Sequence, residues 1–328
     1  MRKHRFMILL VLFLVTAAVY ASFSLNLFDV SDHRNRTVTV VLKTQNVRSD
    51  YWQTANMGAQ TAAKELGVRL DVQGPLQETD ADAQILALRE AIDRKPDAIV
   101  VAPIEDARMP AVLEDVTEAG IKLVVMDTPL ALKPMPVVVS SNHEQAGRLA
   151  GEAIAGLTKG KPTVAIFRDS PDSLVSAKRY EGIYQALRPY ADSVFGSYYC
   201  GDSEEKAYET AISLLQLNPE VNAFITLNEA ATLGVAKALK EVDTAGNHKL
   251  IGFDSSLYEI QLLDEGTVSA LVVQKPFNLG YLGVKTAMML VGGNKAEKAT
   301  YIDSTVVTRE NMSLPENQKL LFPFTVIE

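Results

Sequence analysis

The sequence predicts an α/β protein built from two doubly wound, Rossmann-like domains. Apolar strand-like runs alternate with segments of helical spacing from Thr37 onward. The alternation restarts after Ser141, and 328 residues exceed what one hydrophobic core usually holds. Strands that alternate with helices form parallel sheets through right-handed crossovers. Two similar α/β domains therefore follow from the order of the elements.

The first half contains four predicted strands and three predicted helices. Gly67 supplies a helix stop, and Pro96 ends the next helix ahead of an apolar run. The predicted strands are 38–42, 68–72, 98–102 and 123–126, and the predicted helices are 52–66, 80–94 and 107–119. Each strand is short and rich in apolar residues, as expected for strands that are buried on both faces.

The second half repeats this pattern. The predicted helices are 143–157, 174–187, 204–217 and 230–241, and the predicted strands are 163–167, 194–199, 223–227, 250–253 and 270–273. A sheet buried on both faces explains why these strands show no polar alternation.

Several apolar runs end on a single polar residue. These residues are Asp127, Asn228, Asp254 and Gln274. Ligands of open parallel sheets bind just outside the carboxyl ends of the strands, so the four side chains are expected to converge on one cleft. Carboxylates and amides without a metal cluster or a nucleophile beside them suit a neutral ligand rich in hydroxyl groups. The residues alone therefore indicate a sugar binder.

Composition and charge exclude several classes of protein. Hydrophobic residues make up 47% and charged residues 22%, which is typical of a globular protein. A net charge of -8 argues against nucleic acid as a partner, because such binding requires a basic face. Cys200 is the only cysteine, so an internal disulfide and a thiolate cluster are both excluded.

No cofactor or metal site is expected. The four histidines are scattered without the spacing that places two on one helix face. No G-x-G-x-x-G follows the first strand, and GLTKGKP at 156–162 departs from the spacing of a phosphate loop.

The amino terminus has the pattern of an export segment. Basic residues precede a hydrophobic stretch from Phe6 to Val19, and the apolar character continues to Phe28. About 23 apolar residues are also long enough to cross a bilayer. We therefore interpret residues 1–28 as an export signal or membrane anchor, and favour an uncleaved anchor through residues 6–28 over cleavage after Ala21. Residues 29–36 form a linker, and the rest of the chain lies outside the cytoplasm.

Several segments in a fixed order resemble those of a known family. They are YWQTANMGAQTAAKELGV, DAIVVAP, LVVMD, SAKRYEGIYQAL, FITLNEAATLGVAKAL, LIGFD and VVQKPFNLGYLGV. Together they resemble the sugar-binding periplasmic proteins of ABC transporters, of the ribose-binding type, whose ligand domain is shared with LacI-family repressors. The resemblance extends from about Thr37 to Arg309.

This resemblance implies a type I periplasmic binding protein fold with a hinge cleft. Three chain crossings near Ser141, Gln274 and Asp303 would join the domains. The amino-terminal domain would comprise 37–140 plus 275–302, and the carboxy-terminal domain 141–274 plus 303–328. The protein would be a monomer and not an enzyme.

The resemblance also implies roles for individual residues. Ligand contacts are expected from Asp127, Arg179, Asn228, Asp254 and Gln274, and aromatic stacking on the sugar from Tyr51 and Trp52. Lys43 would contact ligand or be solvated. Asn142 takes part in Ser141-Asn142, where the family usually has Asp-Asn, and Asp202 occupies a position that is often aromatic. Thr128 stands where ribose binders carry arginine, which argues against ribose itself.

Structural roles remain open for some of these residues. Asp127 and Asp254 would also serve as caps of the following segments. Arg179 would also suit a surface ion pair with Glu181 or Asp172. Tyr51 and Trp52 would also suit a hydrophobic core.

Four functions are compatible with parts of this sequence pattern. A transport binding protein that delivers ligand to an ABC transporter permease is favoured over an anchored sensor that signals to a membrane histidine kinase. Asp169 and Asp172 flank Pro171, but this spacing favours a helix entry over paired carboxylates for glycoside hydrolysis. A LacI-type repressor is excluded because a hydrophobic segment replaces the DNA-binding helices.

Overall fold

Two six-stranded sheets, each flanked by helices, form the protein. A computed structural model describes residues 36–128, 130, 133–158, 161–190, 192–242 and 246–323. The prediction of an α/β fold with two doubly wound sheets is confirmed.

The predicted export or anchor segment 1–28 and residues 29–35 of the predicted linker lie outside the described residues. Among the helices that are described, none has the length and apolar character needed to cross a membrane.

The strands are short, and eight of the twelve described are buried over all or nearly all of their length. They are β1 Thr37–Val41, β2 Arg69–Gln73, β3 Ala98–Val101, β4 Lys122–Met126, β5 Val137–Ser141, β6 Val164–Arg168, β7 Val194–Tyr199, β8 Ala223–Thr226, β9 Lys249–Phe253, β10 Ala270–Val273, β11 Ala299–Ile302 and β12 Thr305–Val307.

The described helices alternate with these strands along most of the chain. They are α1 Asp50–Leu66, α2 Ala81–Arg94, α3 Met109–Glu118, α4 His143–Leu157, α5 Leu174–Leu187, α6 Glu204–Leu217, α7 Glu229–Val242, α8 Leu257–Glu265, α9 Pro276–Val291 and α10 Pro315–Leu321.

The two sheets have the same construction. The strand order is β11-β5-β4-β3-β1-β2 in the first sheet and β12-β10-β9-β8-β6-β7 in the second. The paired strands of the first sheet are all parallel, and in the second only β12 is antiparallel to its neighbour. The chain passes between the sheets after β5, after β10 and after β11. Because β4 and β9 occupy equivalent positions, their carboxyl ends form equivalent parts of a site.

Each sheet has an apolar cluster on both faces. Val40 and Val100 pack against α1 and α9 on one face of the first sheet, whereas Val41 and Val101 pack against α2 and α3 on the other. The second sheet repeats this arrangement with two further clusters. Burial on both faces explains the continuous apolar runs in the sequence.

Strand β5 was not among the strands predicted from the sequence. It pairs in parallel with β4, although no helix lies between the two in the described part of the connection. The apolar run Val137–Val139 follows a proline-containing loop. The sequence between β4 and this run therefore shows no helical pattern that would indicate a crossover to a further parallel strand.

Two glycines allow helices α4 and α5 to pack closely. A Cβ atom on Gly147 would overlap the backbone carbonyl of Arg179, and one on Gly182 would overlap that of Glu144. The close approach fixes the backbone of Arg179, whose side chain lies in the cleft.

We expect Gly147→Ala to destabilise the protein. Overpacking of a tight interface costs about 1–3 kcal/mol, and the shift would move Arg179. The measurement is the free energy of unfolding in urea.

Gly156→Ala in the same helix is the matched control. A Cβ there meets no atom within 4 Å, so the change should stabilise the helix by about 0.5–1 kcal/mol. Equal effects of the two substitutions would contradict the packing explanation.

Candidate functional site

A large cleft lies between the carboxyl ends of the two sheets. Its volume is about 1250 Å³, above the range of about 300–1,000 Å³ that is usual for small-molecule pockets. The predicted contact residues that line it are Lys43, Tyr51, Trp52, Asp127, Arg179, Asp202, Asn228, Asp254 and Gln274.

Asp127 lies directly after β4, with its backbone in the left-handed region at φ 61°. Its N–H donates to the carbonyl of Val139, and its Oδ1 accepts from the Tyr51 hydroxyl at 3.1 Å. Burial raises the pKa of Asp127, but the opposing effects of Lys43, His143 and Arg179 leave it below its usual value. The carboxylate is therefore ionised and accepts hydrogen bonds.

Lys43 supports Asp127 from the end of β1. Its Nζ lies 3.7 Å from Oδ2 of Asp127 and 3.4 Å from Oε2 of Glu105. Burial lowers the pKa of Lys43, but the charges of Asp127, Glu105 and Glu78 outweigh it and raise the pKa overall. This lysine is charged and is shared between two carboxylates.

His143 was not predicted as part of the site, because isolated histidines gave no pattern. It is 4% exposed, and its Nε2 donates to the backbone carbonyl of Asp127 at 3.1 Å. The same nitrogen is 3.6 Å from Oδ1 of Asp127. Burial lowers the pKa of His143 to about 4, and the charge of Asp127 offsets this only in part. His143 is a neutral residue that positions Asp127.

Asp254 is the counterpart of Asp127 at the end of β9. Its backbone is also left-handed, with φ 79°, and its N–H donates to the carbonyl of Val272. Gln274 Nε2 donates to Asp254 Oδ1 at 2.6 Å. Burial raises the pKa of Asp254, although Arg179 and Gln274 oppose this rise.

Arg179 is 5% exposed, so the alternative of a surface ion pair is wrong. Glu181 pairs with Lys178 instead. The Arg179 guanidinium lies 4.6 Å from the centre of the Phe253 ring, and Nη1 donates to the carbonyl of Leu227. Its buried Nε has no hydrogen-bond partner among the described residues. A donor is therefore free to bind ligand.

Asn228 directly precedes α7 and has both a structural role and a place in the cleft wall. Its Oδ1 accepts from the backbone N–H of Ala231 at 2.9 Å, as in a helix cap. Its Nδ2 lies 3.2 Å from Oδ1 of both Asp169 and Asp202, and 3.1 Å from the carbonyl of Gly201. The wall beside it is therefore rich in carboxylate oxygens.

The two adjacent aromatic residues differ in environment. Trp52 is 2% exposed and packs in the core of the first sheet. Tyr51 is half-buried, edge-on to Trp52 with ring centres 5.0 Å apart, and bonds Asp127. Tyr51 is the better placed of the two to cover a ligand.

Asn142 lies at a crossing between the sheets and is not among the residues that line the cleft. Its Oδ1 caps α4 by accepting from the N–H of Gln145, and its Nδ2 donates to Asp303 at 2.9 Å. These contacts link two of the three crossings.

Other cleft residues were not predicted as ligand contacts. Glu78 is in the loop after β2, Glu229 is the first residue of α7, and Phe277 is in the first turn of α9. Asp169 accepts from the hydroxyl of Ser173 at 3.1 Å, the residue that caps α5, which fits the predicted helix entry. Strand-end patterning would have indicated only Asp169.

The described residues contain no group of three or more histidine, cysteine or acidic side chains arranged to hold a metal.

We expect stability to fall with decreasing pH because of His143. In the unfolded chain this histidine takes up a proton near pH 6.5, whereas the folded protein resists protonation until about pH 4. The folded pKa is depressed, so the unfolded state binds more protons between these values and is favoured there. The contribution is present above pH 6.5 and is lost towards pH 4, on the order of 3 kcal/mol.

The measurement is the free energy of unfolding of wild type and His143→Asn at pH 7 and pH 4.5. The stability gap between them should narrow by about 2 kcal/mol at the lower pH. A gap that is the same at both pH values would show that His143 is not held neutral by the fold.

Comparisons with known proteins agree with this geometry. Residues 38–295 match the model of the periplasmic binding protein domain. The chain is 26% identical over 267 residues to the D-ribose/D-allose-binding protein of Pseudomonas aeruginosa, covering 79% of this chain and 83% of that protein.

Solved structures show the same architecture. A glucose-galactose binding protein from Geobacillus stearothermophilus is 31% identical, with TM-score 0.78, over 85% of this chain and 99% of that one. A carbohydrate transporter solute-binding protein from Agrobacterium radiobacter in complex with D-arabinose is 29% identical, with TM-score 0.79, over 88% and 99%.

The prediction of a binding protein, as opposed to an enzyme, is therefore confirmed by the match over most of the chain. The fold has two equivalent sheets with a cleft at their carboxyl ends, and residues 38–295 match the domain model. The chain therefore belongs to the periplasmic binding protein family, whose members act outside the cytoplasm.

Proposed function

We propose that the protein is an extracytoplasmic solute-binding protein that closes around a monosaccharide or similar polyol and presents it to a membrane ABC transporter. The observation that carries this proposal is the convergence of Asp127 from the first sheet with Arg179, Asp254 and Gln274 from the second on one cleft. The sugars named for the relatives, including ribose, allose and D-arabinose, support the same ligand class.

The chemistry of the site suits hydroxyl groups. A carboxylate accepts hydrogen bonds from two hydroxyls, and a guanidinium donates several in a fixed plane. The Nε of Arg179 and the Oε1 of Gln274 are buried without partners among the described residues, so a hydroxyl that both donates and accepts would satisfy each. The Tyr51 ring would cover the apolar C–H face of a sugar.

We propose that the sheets belong to two domains with the boundaries predicted above, joined by a hinge at the three crossings. Gln145 bonds both backbone groups of Ser304, at 3.1 Å to the N–H and 3.4 Å to the carbonyl, beside the contact of Asn142 with Asp303. These contacts lie at the crossings and not within either core. Bending at a few such residues would close the cleft while each core stays intact.

The membrane partner that binds the closed conformation would be a transporter permease. The comparisons give no support to the alternative of a sensor that signals to a membrane histidine kinase. We further propose that the predicted residues other than Asn142 contact the ligand. Asn142 is assigned to the hinge.

An uncleaved anchor at residues 6–28 is part of the proposal and rests on the length of the apolar stretch. Amino-terminal sequencing of the mature protein from the membrane fraction tests it. An intact amino terminus in that fraction is expected, and a new terminus in the released fraction would show cleavage.

A thermal-shift screen of residues 30–328 against pentoses, hexoses, inositols and disaccharides tests the ligand class. A ligand that binds only the folded state stabilises it by about 2.7 kcal/mol at 100 times its dissociation constant. At least one monosaccharide or polyol should raise the melting temperature. No shift with any compound would contradict the proposal.

Asp254→Asn should weaken binding of the identified ligand about 10- to 150-fold. A hydrogen bond to a charged group contributes about 1.5–3 kcal/mol, and each 1.4 kcal/mol is tenfold in affinity. Calorimetric titration measures the change. Asp172→Asn, which is exposed and outside the cleft, is the matched control and should bind as wild type does. Equal affinities of all three proteins would show that Asp254 does not contact the ligand.

A further inference from the structure

The edge of the first sheet that lies opposite the cleft carries a row of cations. Because the paired strands are parallel, their carboxyl ends meet at the cleft and their amino ends meet at the opposite edge. In five of the six strands a described lysine or arginine is the first residue or lies within three residues before it. These residues form the basic edge: Arg36, Arg69, Lys95, Lys122 and Lys298.

Backbone pairing holds the basic edge together as one surface. The N–H of Arg69 donates to the carbonyl of Arg36 at 2.9 Å, and the N–H of Lys122 donates to the carbonyl of Asp97 at 3.2 Å. Lys298 directly precedes β11, which pairs with β5. Six strands at a spacing of about 4.8 Å extend over about 24 Å. The cations therefore line a continuous edge.

Most of these charges are not neutralised by the protein itself. All five side chains are exposed. Arg36 pairs with Asp97 at 2.6 Å, whereas the other four have no ion pair with any described residue. Arg36, Lys95 and Lys122 also line one surface depression of about 310 Å³. The basic edge is therefore available to anions from outside.

The second sheet has the same construction but no such surplus among its described residues. The same positions of its five parallel strands hold two cations and two carboxylates, which are Lys161, Lys249, Asp192 and Glu220. The basic edge has five cations against two carboxylates, Asp97 and Glu297. Helix C-termini, which attract cations, lie near this edge of both sheets, so they do not explain a surplus in only one.

The predicted anchor enters the fold at the basic edge. Arg36 is the last residue of the linker 29–36, which follows the hydrophobic stretch 6–28. A linker of eight residues spans at most about 28 Å, so the anchor would keep this edge near the bilayer. Anionic lipids attract clustered lysine and arginine side chains near a membrane surface.

We propose that the basic edge binds the phosphate groups of anionic lipids in the bilayer that carries the anchor. This inference goes beyond the proposed function and uses its anchor only to place Arg36 near the bilayer. The net charge of the chain is -8, so an anionic surface would attract this edge and repel most of the remaining surface. The cleft lies at the other end of the strands and stays open to ligand.

Hydrogen exchange of the full chain in lipid vesicles tests the proposal. One set of vesicles contains phosphatidylcholine alone, and the other contains equal parts of phosphatidylcholine and phosphatidylglycerol. Each cation near an anionic surface strengthens the contact about five-fold, so amides in 93–97, 118–122 and 295–298 should exchange about ten-fold more slowly on the anionic vesicles. Salt at about 0.5 M should remove the difference, because it screens the charges.

The triple variant Lys95→Gln/Lys122→Gln/Lys298→Gln should lose this difference. Its control is Lys161→Gln/Arg188→Gln/Lys206→Gln, which removes the same charge from exposed residues around the second sheet and should keep it. Melting temperatures of both variants show whether they are folded.

Three results would overturn the inference. The first is equal exchange of the basic edge on the two kinds of vesicle, whether or not the chain remains anchored. The second is a difference that persists in the triple variant, which would place the lipid contact elsewhere. The third is an equal loss in the control, which would indicate a dependence on net charge alone. Sugar binding and amino-terminal sequencing are measured separately, so any of these results would leave the proposed function standing.

Discussion

The site depends on two aspartates held in the left-handed backbone conformation at equivalent strand ends. Asp127 follows β4 and Asp254 follows β9, and each strand is third in the order of its sheet. Each aspartate N–H donates to a carbonyl of the adjacent strand, Val139 or Val272. Few residues other than glycine adopt positive φ, but aspartate tolerates it. The backbone geometry thus places one carboxylate from each sheet in the same cleft.

The surroundings give the two carboxylates different properties. Lys43 and the Tyr51 hydroxyl stabilise the ionised form of Asp127, so its pKa is low in spite of burial. Asp254 has Gln274 and Arg179, which do not outweigh burial, so its pKa is raised. The first aspartate is therefore a preformed acceptor. The second has hydrogen-bonding capacity that a ligand can satisfy.

Local features were predictable from the sequence, and long-range ones were not. The bounds of β10, the apolar run before Asp127 and the polar residues at strand ends follow from burial and residue type over a few positions. Strand β5 was missed because no helix precedes it. His143 contacts the backbone carbonyl of Asp127, and Asn142 lies at a crossing between the sheets. Both positions depend on how separate elements pack, which no single sequence segment encodes. Trp52 and Tyr51 are adjacent in sequence, yet only their tertiary contacts separate a core residue from a cleft residue.

We propose that residues at the ends of both sheets hold one small ligand at the same time. A crystal structure of the protein with its identified sugar tests this most directly. We expect the sugar to lie between Asp127 and Asp254, in hydrogen-bond contact with both carboxylates and with Arg179, in a cleft whose volume is smaller than the present value of about 1250 Å³. A ligand bound to one sheet alone, or outside this cleft, would contradict it.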